Sequence, residues 1–381
     1  MTHPHNPGRR RSLAALLGLS AASTIPAWAQ SPKGAGGART ITVAQVIDMS
    51  TSQIDVSKDF LVGSRTAWHE INAKGGVSGI PVKHLVLEVD GTAANLRTSV
   101  DALKTEPHCI ALFGTAGDRA ASQLTALLRR ELPDLPHVAP WLQNLDPAAS
   151  SSTFPIFASR QEQITYAIKS LSVMGITHVG AVYGSASEHA SYRGELEQIA
   201  RTLKLNISAY HTTGDLRDLA QTLTPDSPRV LLFVGGTPEM ARFAQGVEKQ
   251  ATQRYLIAMS DVNLQSIQQL GASRFTPMIA TQVVPMVNSS LPVVRAYRSA
   301  LGRLFDEPPT PLSLAGYISA RYTYEVLQSV DGPLTRNSAL QAFTRRSPVD
   351  LGGFRISPDA KGQGAAFVTQ SMVATDGRLV G

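Results

Sequence analysis

Disulfides have no part in this fold: the chain holds one cysteine, Cys109, among 381 residues, which excludes an internal cross-link even in an oxidising compartment. A buried structural thiol is the expectation for it. Aromatic residues are scarce at 6%, charged residues reach only 17%, and apolar residues make up 43%, the balance of an ordinary globular protein. No apolar run attains the ~18 residues needed to span a bilayer. Basic clusters are few despite a formal charge of +6, so nucleic acid is not an implied partner. Paired cysteines, a His-Glu-x-x-His run and an Asp-rich calcium loop are all missing, so no metal site is expected. The segment FGTAGDRAASQL (Phe113–Leu124) breaks a strand at glycine and feeds a helix. It lacks the Gly-Lys-Ser/Thr ending of an ATPase phosphate loop and the Gly-x-Gly-x-x-Gly of a dinucleotide site, and no cofactor is expected. Ser185 follows Gly184 but lacks the second glycine of a nucleophile elbow,. The histidines are read as solvated or satisfied on loops and helix faces. Nothing here motivates catalysis, and the chain is read as no enzyme.

What is present begins with an export pattern. Arg9, Arg10 and Arg11 precede an apolar stretch from Leu13 to Ile25, and Ala27-Trp28-Ala29 supplies a cleavage signature. Residues 1–29 read as a signal peptide, by the general or the twin-arginine route, with Gln30 as the mature N-terminus. Gln30 is not a cysteine, so a freely soluble, uninserted periplasmic protein is expected. Removing the signal takes three arginines and no acids, lowering the formal charge from +6 to +3. Residues 30–39 form a Gly-rich flexible leader.

The length suits two domains, and from Thr40 the pattern alternates. Strands at Ile41–Ile47, Lys83–Val89, Cys109–Phe113 and His137–Pro140 are separated by helical segments at Lys58–Ala73, after Thr92 and at Arg119–Arg130. The rhythm then restarts. Helices Gln161–Met174, Glu188–Leu203, from Asp215 and Pro238–Gln250 alternate with strands Thr177–Gly184, Asn206–His211, Arg229–Gly236 and Arg254–Met259. Short, nearly continuous apolar strands joined through helices predict parallel sheets covered on both faces, and two rounds predict two similar doubly wound α/β lobes. Val293–Phe305 and Leu312–Val330 read as helices returning to the first lobe, and the C-terminus as a hairpin-like tail. The resulting division is 40–157 with 286–347, and 158–285 with 348–381.

Ligands in open α/β sheets bind outside the C-terminal strand ends. Those ends offer Ser50, Thr51, Thr115, Ala116, Gly117, Asp118, Trp141 and Gln143 in the first lobe. The second lobe offers Ser185, Gly236, Thr237, Ser260 and Asp261. Each taken alone is also what a turn or helix cap requires; their joint position is the stronger argument for a binding site. Asp118 reads as the cap of the helix Arg119–Arg130, placing its own carboxylate where a ligand anion would sit. Asp261 reads equally as a ligand contact or as the cap of a helix starting near Val262. Trp141 reads as a stacking surface or a core residue.

The mature chain resembles the type I periplasmic solute-binding proteins of ABC importers, the branched-chain amino-acid-binding family. The resemblance rests on AWHEINAKGGVSGIPV (Ala67–Val82), ALFGT (Ala111–Thr115), VGGTPEMARF (Val234–Phe243), TQVVP (Thr281–Pro285), SLAGYISAR (Ser313–Arg321) and DLGGFRISPD (Asp350–Asp359). It implies two lobes joined by a three-crossover hinge, closing on a small ligand that a monomeric protein delivers to ABC permease subunits. It also implies that Asp261 faces a ligand ammonium and that an aromatic stacking position lies near Ser191-Tyr192. Asp118 stands where relatives place a Ser or Thr, so a small polar metabolite, cationic ones included, fits at least as well as leucine, isoleucine or valine. An exported sensing module acting with a receptor is the alternative reading.

Overall fold

The computed structural model describes residues 40–144, 151–271, 276–357, 367–373 and 379–380; the expected signal peptide and leader lie outside them. The first sheet is built from β1 (Ile41–Asp48), β2 (Val82–Val89), β3 (Cys109–Phe113), β4 (His137–Val138) and β5 (Thr153–Phe154), with helices α1 (Ile54–Ala73), α2 (Ala93–Thr105) and α3 (Asp118–Glu131) between them. Its strand order is β2-β1-β3-β4-β5 and every pairing is parallel. All eight residues of β1 are buried, as a strand covered on both faces requires.

The second lobe runs α4 (Arg160–Val173), β6 (His178–Tyr183), α5 (Ala186–Thr202), β7 (Asn206–Tyr210), α6 (Leu216–Gln221), β8 (Val230–Val234), α7 (Thr237–Val247), β9 (Tyr255–Ala258), α8 (Leu264–Gln269) and β10 (Met278–Gln282). Its parallel part, β7-β6-β8-β9-β10, repeats the order of the first sheet. Each lobe therefore has its topological switch at the equivalent place, between β1 and β3 and between β6 and β8. The chain then forms α9 (Pro292–Leu304), α10 (Pro311–Gln328), α11 (Arg336–Thr344), the short pair β11 (Val349–Asp350) and β12 (Arg355–Ile356), and finally β13 (Thr369–Val373) and β14 (Leu379–Val380). β13 and β14 join the second sheet antiparallel beyond β10.

Two apolar layers flank each sheet. In the first lobe one layer packs Ala44, Val46 and Leu112 against Leu96, Val100, Leu124 and Leu128. The other packs Val43, Ile47 and Phe113 against α1 and the returning helices, as expected for Val293–Phe305 and Leu312–Val330, and includes Leu351, Phe354 and Ile356. The α1–α10 contact is so close that a methyl group on Gly63 would lie 1.7 Å from the Ser313 carbonyl oxygen, and one on Gly316 would lie 1.9 Å from that of Phe60. Two glycines facing two backbones let these helices touch. Among the described residues no helix is long and apolar enough to cross a membrane.

Helix starts follow side-chain chemistry. Thr92 and Asp215 cap α2 and α6, as read from the sequence. Ser159 and Glu162 form a reciprocal capping box that starts α4 at Arg160,. β5, β10 and α11 are not among the elements expected from the sequence, β5 being a pair of residues. β10 is a five-residue strand and α11 only nine residues long, each too short for a persistent period. Cys109 is buried, and burial pushes its thiol up to about 11, the inert state expected of a structural cysteine.

Candidate functional site

The strand-end residues divide into two groups. The first gathers around Asp48 at the tip of β1. Its Oδ1 accepts from the Ser50 N–H at 2.9 Å, and its backbone N–H donates to the Ala116 carbonyl at 3.0 Å. Gly117, at φ +104°, lies so close that a Cβ there would stand 2.6 Å from the Asp48 Cβ; the position is closed to other residues on both counts. Thr51 is exposed beside this group. The Thr115 hydroxyl faces inward instead, 2.8 Å from Nε2 of the buried His137, whose Nδ1 lies 3.4 Å from Thr125 Oγ1. Burial lowers His137 to about 3, so it is neutral. It sits on a strand rather than on a loop or helix face, as does His84, likewise lowered to about 3 by burial.

The second group lies where the lobes meet, and its centre is Arg160, which the sequence reading did not single out. The first residue of α4 is 5% exposed. Its backbone N–H donates to the Gln143 carbonyl at 2.8 Å. Nη2 pairs with Asp261 Oδ2, Nη1 donates to Tyr192 Oη at 3.3 Å, and the guanidinium lies 5.1 Å from the Tyr192 ring centroid. Burial works against this cation, but Asp261 and Asp118 outweigh it and hold the guanidinium charged. Tyr192 in turn donates to Asn144 Oδ1. Gln163, one turn on, binds three segments: Nε2 donates to Gln143 Oε1 at 3.1 Å, and Oε1 accepts from the Ser260 N–H at 2.9 Å and from Thr281 Oγ1 at 2.7 Å.

Two sequence expectations are corrected here. Asp118 does not cap a helix beginning at Arg119: α3 begins at Asp118 itself, Gly117 is its N-cap, and no side chain caps it. The Asp118 carboxylate instead accepts from the Gln143 N–H at 2.8 Å. It thereby ties α3 to the segment after β4. Burial raises its pKa, with the Arg160 charge opposing that rise, while Arg119 is exposed. Asp261 does not cap a helix near Val262 either. α8 begins at Leu264, and Asn263 Oδ1 accepts from Gln265 N and Ser266 N, each at 3.1 Å. Asp261 is held by Arg160.

The remaining residues are accounted for locally. Ser185 caps α5, accepting from Glu188 N at 3.3 Å and donating to the Glu188 carboxylate. Burial raises Glu188, and the Arg160 charge lowers it while Asp261 and Glu239 raise it, which sets it in the same electrostatic neighbourhood. Gly236 is the N-cap of α7, against the Glu239 carboxylate. Thr237 Oγ1 accepts from the Asn263 N–H at 2.9 Å. Trp141 is 2% exposed and packs edge-on against Phe60 and Phe157, with centroids 5.8 and 5.1 Å away. It is a core residue. Arg160 had one legible signal, the Ser159–Glu162 box that marks it as the first helical residue.

The strand-end clustering and the buried polar layer between two like-ordered sheets are the architecture of a two-lobed binding protein. The chain belongs to the periplasmic binding protein family, whose sequence profile matches residues 40–377. Solved structures share the fold across 90% of the chain. One is an extracellular ligand-binding receptor from Verminephrobacter eiseniae, 16% identical, with all of that chain covered and a TM-score of 0.80. Another is the branched-chain amino acid transporter substrate-binding protein LivJ of Streptococcus pneumoniae in complex with isoleucine, 15% identical, 98% covered, TM-score 0.76. A third is a fatty acid ABC transporter substrate-binding protein from Thermomonospora curvata, 14% identical, 91% covered, TM-score 0.76. A comparison with curated proteins found no match by sequence.

Proposed function

We propose that this chain is the periplasmic solute-capturing component of an ABC importer. In this reading it takes a small polar metabolite between its two lobes and hands it, as a monomer, to permease subunits in the inner membrane. The observation that carries the reading is the layer of buried polar side chains where the lobes meet, centred on Arg160 and Asp261. Buried charges are retained at a cost, and an interlobe position gives a ligand contacts with both halves at once. Closure is then favoured by the ligand's extra affinity for the closed state. Exposed strand ends near Ser50 and Thr51 supply the rim. The fold likeness to LivJ supports the transport role, and the resemblance of the Ala67–Val82 segment to the amino-acid-binding family supports a metabolite of similar size.

The test is native mass spectrometry of freshly purified protein, followed by a thermal-shift screen of metabolites with scattering measured on each hit. A ligand is expected to raise the melting temperature by mass action and to contract the particle. A protein with no ligand-dependent change in either measurement is not a capture protein. Recovery of receptor rather than permease subunits with the loaded protein would assign it to sensing.

A further inference from the structure

Three polar groups in the layer between the lobes have no partner among the described residues: Arg160 Nε, Asp261 Oδ1 and Ser260 Oγ. The residues that carry them are 5%, 7% and 4% exposed. Their other polar atoms are engaged, Arg160 with Tyr192 and Asp261, Asp261 with Arg160, and the Ser260 N–H with Gln163. A buried donor or acceptor left unpaired loses its hydration with nothing in return. Native proteins leave few of them without a ligand, a water or a role in function. Here two of the three belong to the partners of one ion pair, so they lie within a few ångström of each other, and the third belongs to the residue next to Asp261.

The chemistry of these atoms restricts what can join them. Arg160 Nε donates only, Asp261 Oδ1 accepts only, and a hydroxyl does either. Because the guanidinium and the carboxylate already neutralise each other, an added anion finds no counter-ion, and an added cation finds only Asp118 and Glu188, whose carboxylates already accept from the Gln143 N–H and the Ser185 hydroxyl. A carboxylate would satisfy Nε while facing Asp261, with Asp118 and Glu188 nearby. An ammonium would satisfy Oδ1 while facing a guanidinium. A zwitterionic amino acid would set its carboxylate on Nε and its ammonium on Oδ1, but each of its charges would also face the like charge of the other member of the pair. An uncharged group that presents a C=O beside an N–H meets both atoms with no charge added.

We propose that the interlobe site takes an uncharged ligand whose carboxamide, urea or comparable donor–acceptor group docks on the open atoms of Arg160, Asp261 and Ser260. This rests on the ligand-capturing role proposed above. Arg160 serves as an internal counter-ion, filling the place opposite Asp261 that a ligand ammonium would otherwise take.

The test is a thermal-shift screen of the purified protein with small metabolites sorted by charge at pH 7. It includes the matched set N-acetyl-leucinamide, N-acetyl-leucine, leucinamide and leucine, and each hit is followed by calorimetric titration. Neutral compounds are expected to supply the hits. Their affinity is expected to fall at least tenfold in an Arg160→Met/Asp261→Leu double variant, which removes both charges together. Should that variant fail to fold, Ser260→Ala, which deletes one open hydroxyl, is expected to weaken the same hits threefold or more. Hits confined to zwitterions, anions or cations overturn the charge inference and leave the capture role standing. Neutral hits indifferent to these substitutions overturn the placement, an ordered water then filling the site. The absence of hits from every charge class overturns the capture role and this inference with it.

Discussion

Asn263 of the second lobe donates its side-chain amide to the Asp59 carboxylate of the first lobe at 3.2 Å, while its own oxygen caps α8. One side chain thus starts a helix and ties the lobes together. Asp59 is raised to about 6 from the ordinary 3.8, first by burial, with Glu307 and Asp55 adding to the rise and hydrogen bonds from Thr310 and Asn263 opposing it. Because the folded state holds this proton more tightly than the unfolded chain, stability falls as pH rises from about 4 to 6. The loss is roughly 2 to 3 kcal/mol from this one group. Asp59→Asn is expected to remove that slope and to be more stable than the parent above pH 6.5, measured by urea unfolding across the range. A parent profile flat between pH 4 and 6.5 after correction for other groups would contradict the assignment.

Asp261→Ala is expected to destabilise the protein strongly. It leaves Arg160 buried without a counter-charge, a change that costs about 3–5 kcal/mol in comparable buried pairs. The Arg160→Met/Asp261→Leu replacement is expected to lie within about 1–2 kcal/mol of the parent, since both charges leave together. Equal losses in the two variants would show that the pair contributes through packing alone.

Thr115→Val removes the hydroxyl 2.8 Å from His137 Nε2 and leaves a fully buried nitrogen unpaired. A loss of about 1–3 kcal/mol is expected, with ligand affinity unchanged because the hydroxyl faces the core. His137 itself, lowered from 6.5 to about 3, contributes stability that is present above pH 6.5 and lost as pH falls toward 3. The acid limb of the unfolding profile is expected to be shallower in a His137→Gln variant. A steep limb retained in that variant would assign it to other groups, His84 first.

Gly63→Ala is expected to cost about 3 kcal/mol or more, because α1 and α10 must separate to admit a methyl group. Gly302→Ala is the control: nothing lies within 4 Å of a Cβ there, and a helix interior gains from alanine by about 1 kcal/mol. Similar melting temperatures for the two variants would mean the helices are not in contact.

The alternation of apolar strands with helical segments determined, by itself, two similar α/β lobes, and the structure added their common strand order. Local chemistry also showed where α2 and α6 begin, because a cap is made by residues adjacent in sequence. That same locality misled at Asp118 and left Asp261 open between a cap and a ligand contact. Both are well suited to capping, but α3 and α8 are capped by Gly117 and Asn263, and the two carboxylates serve contacts 25 and 101 residues away. Only the tertiary structure could choose Arg160 as the partner of Asp261, turn Thr115 toward His137, and seat Trp141 among Phe60 and Phe157. A side chain's periodic position says which face of an element it occupies. What stands across that face is set by the packing of segments far apart in the chain, and in this protein the charges of the candidate site are decided there.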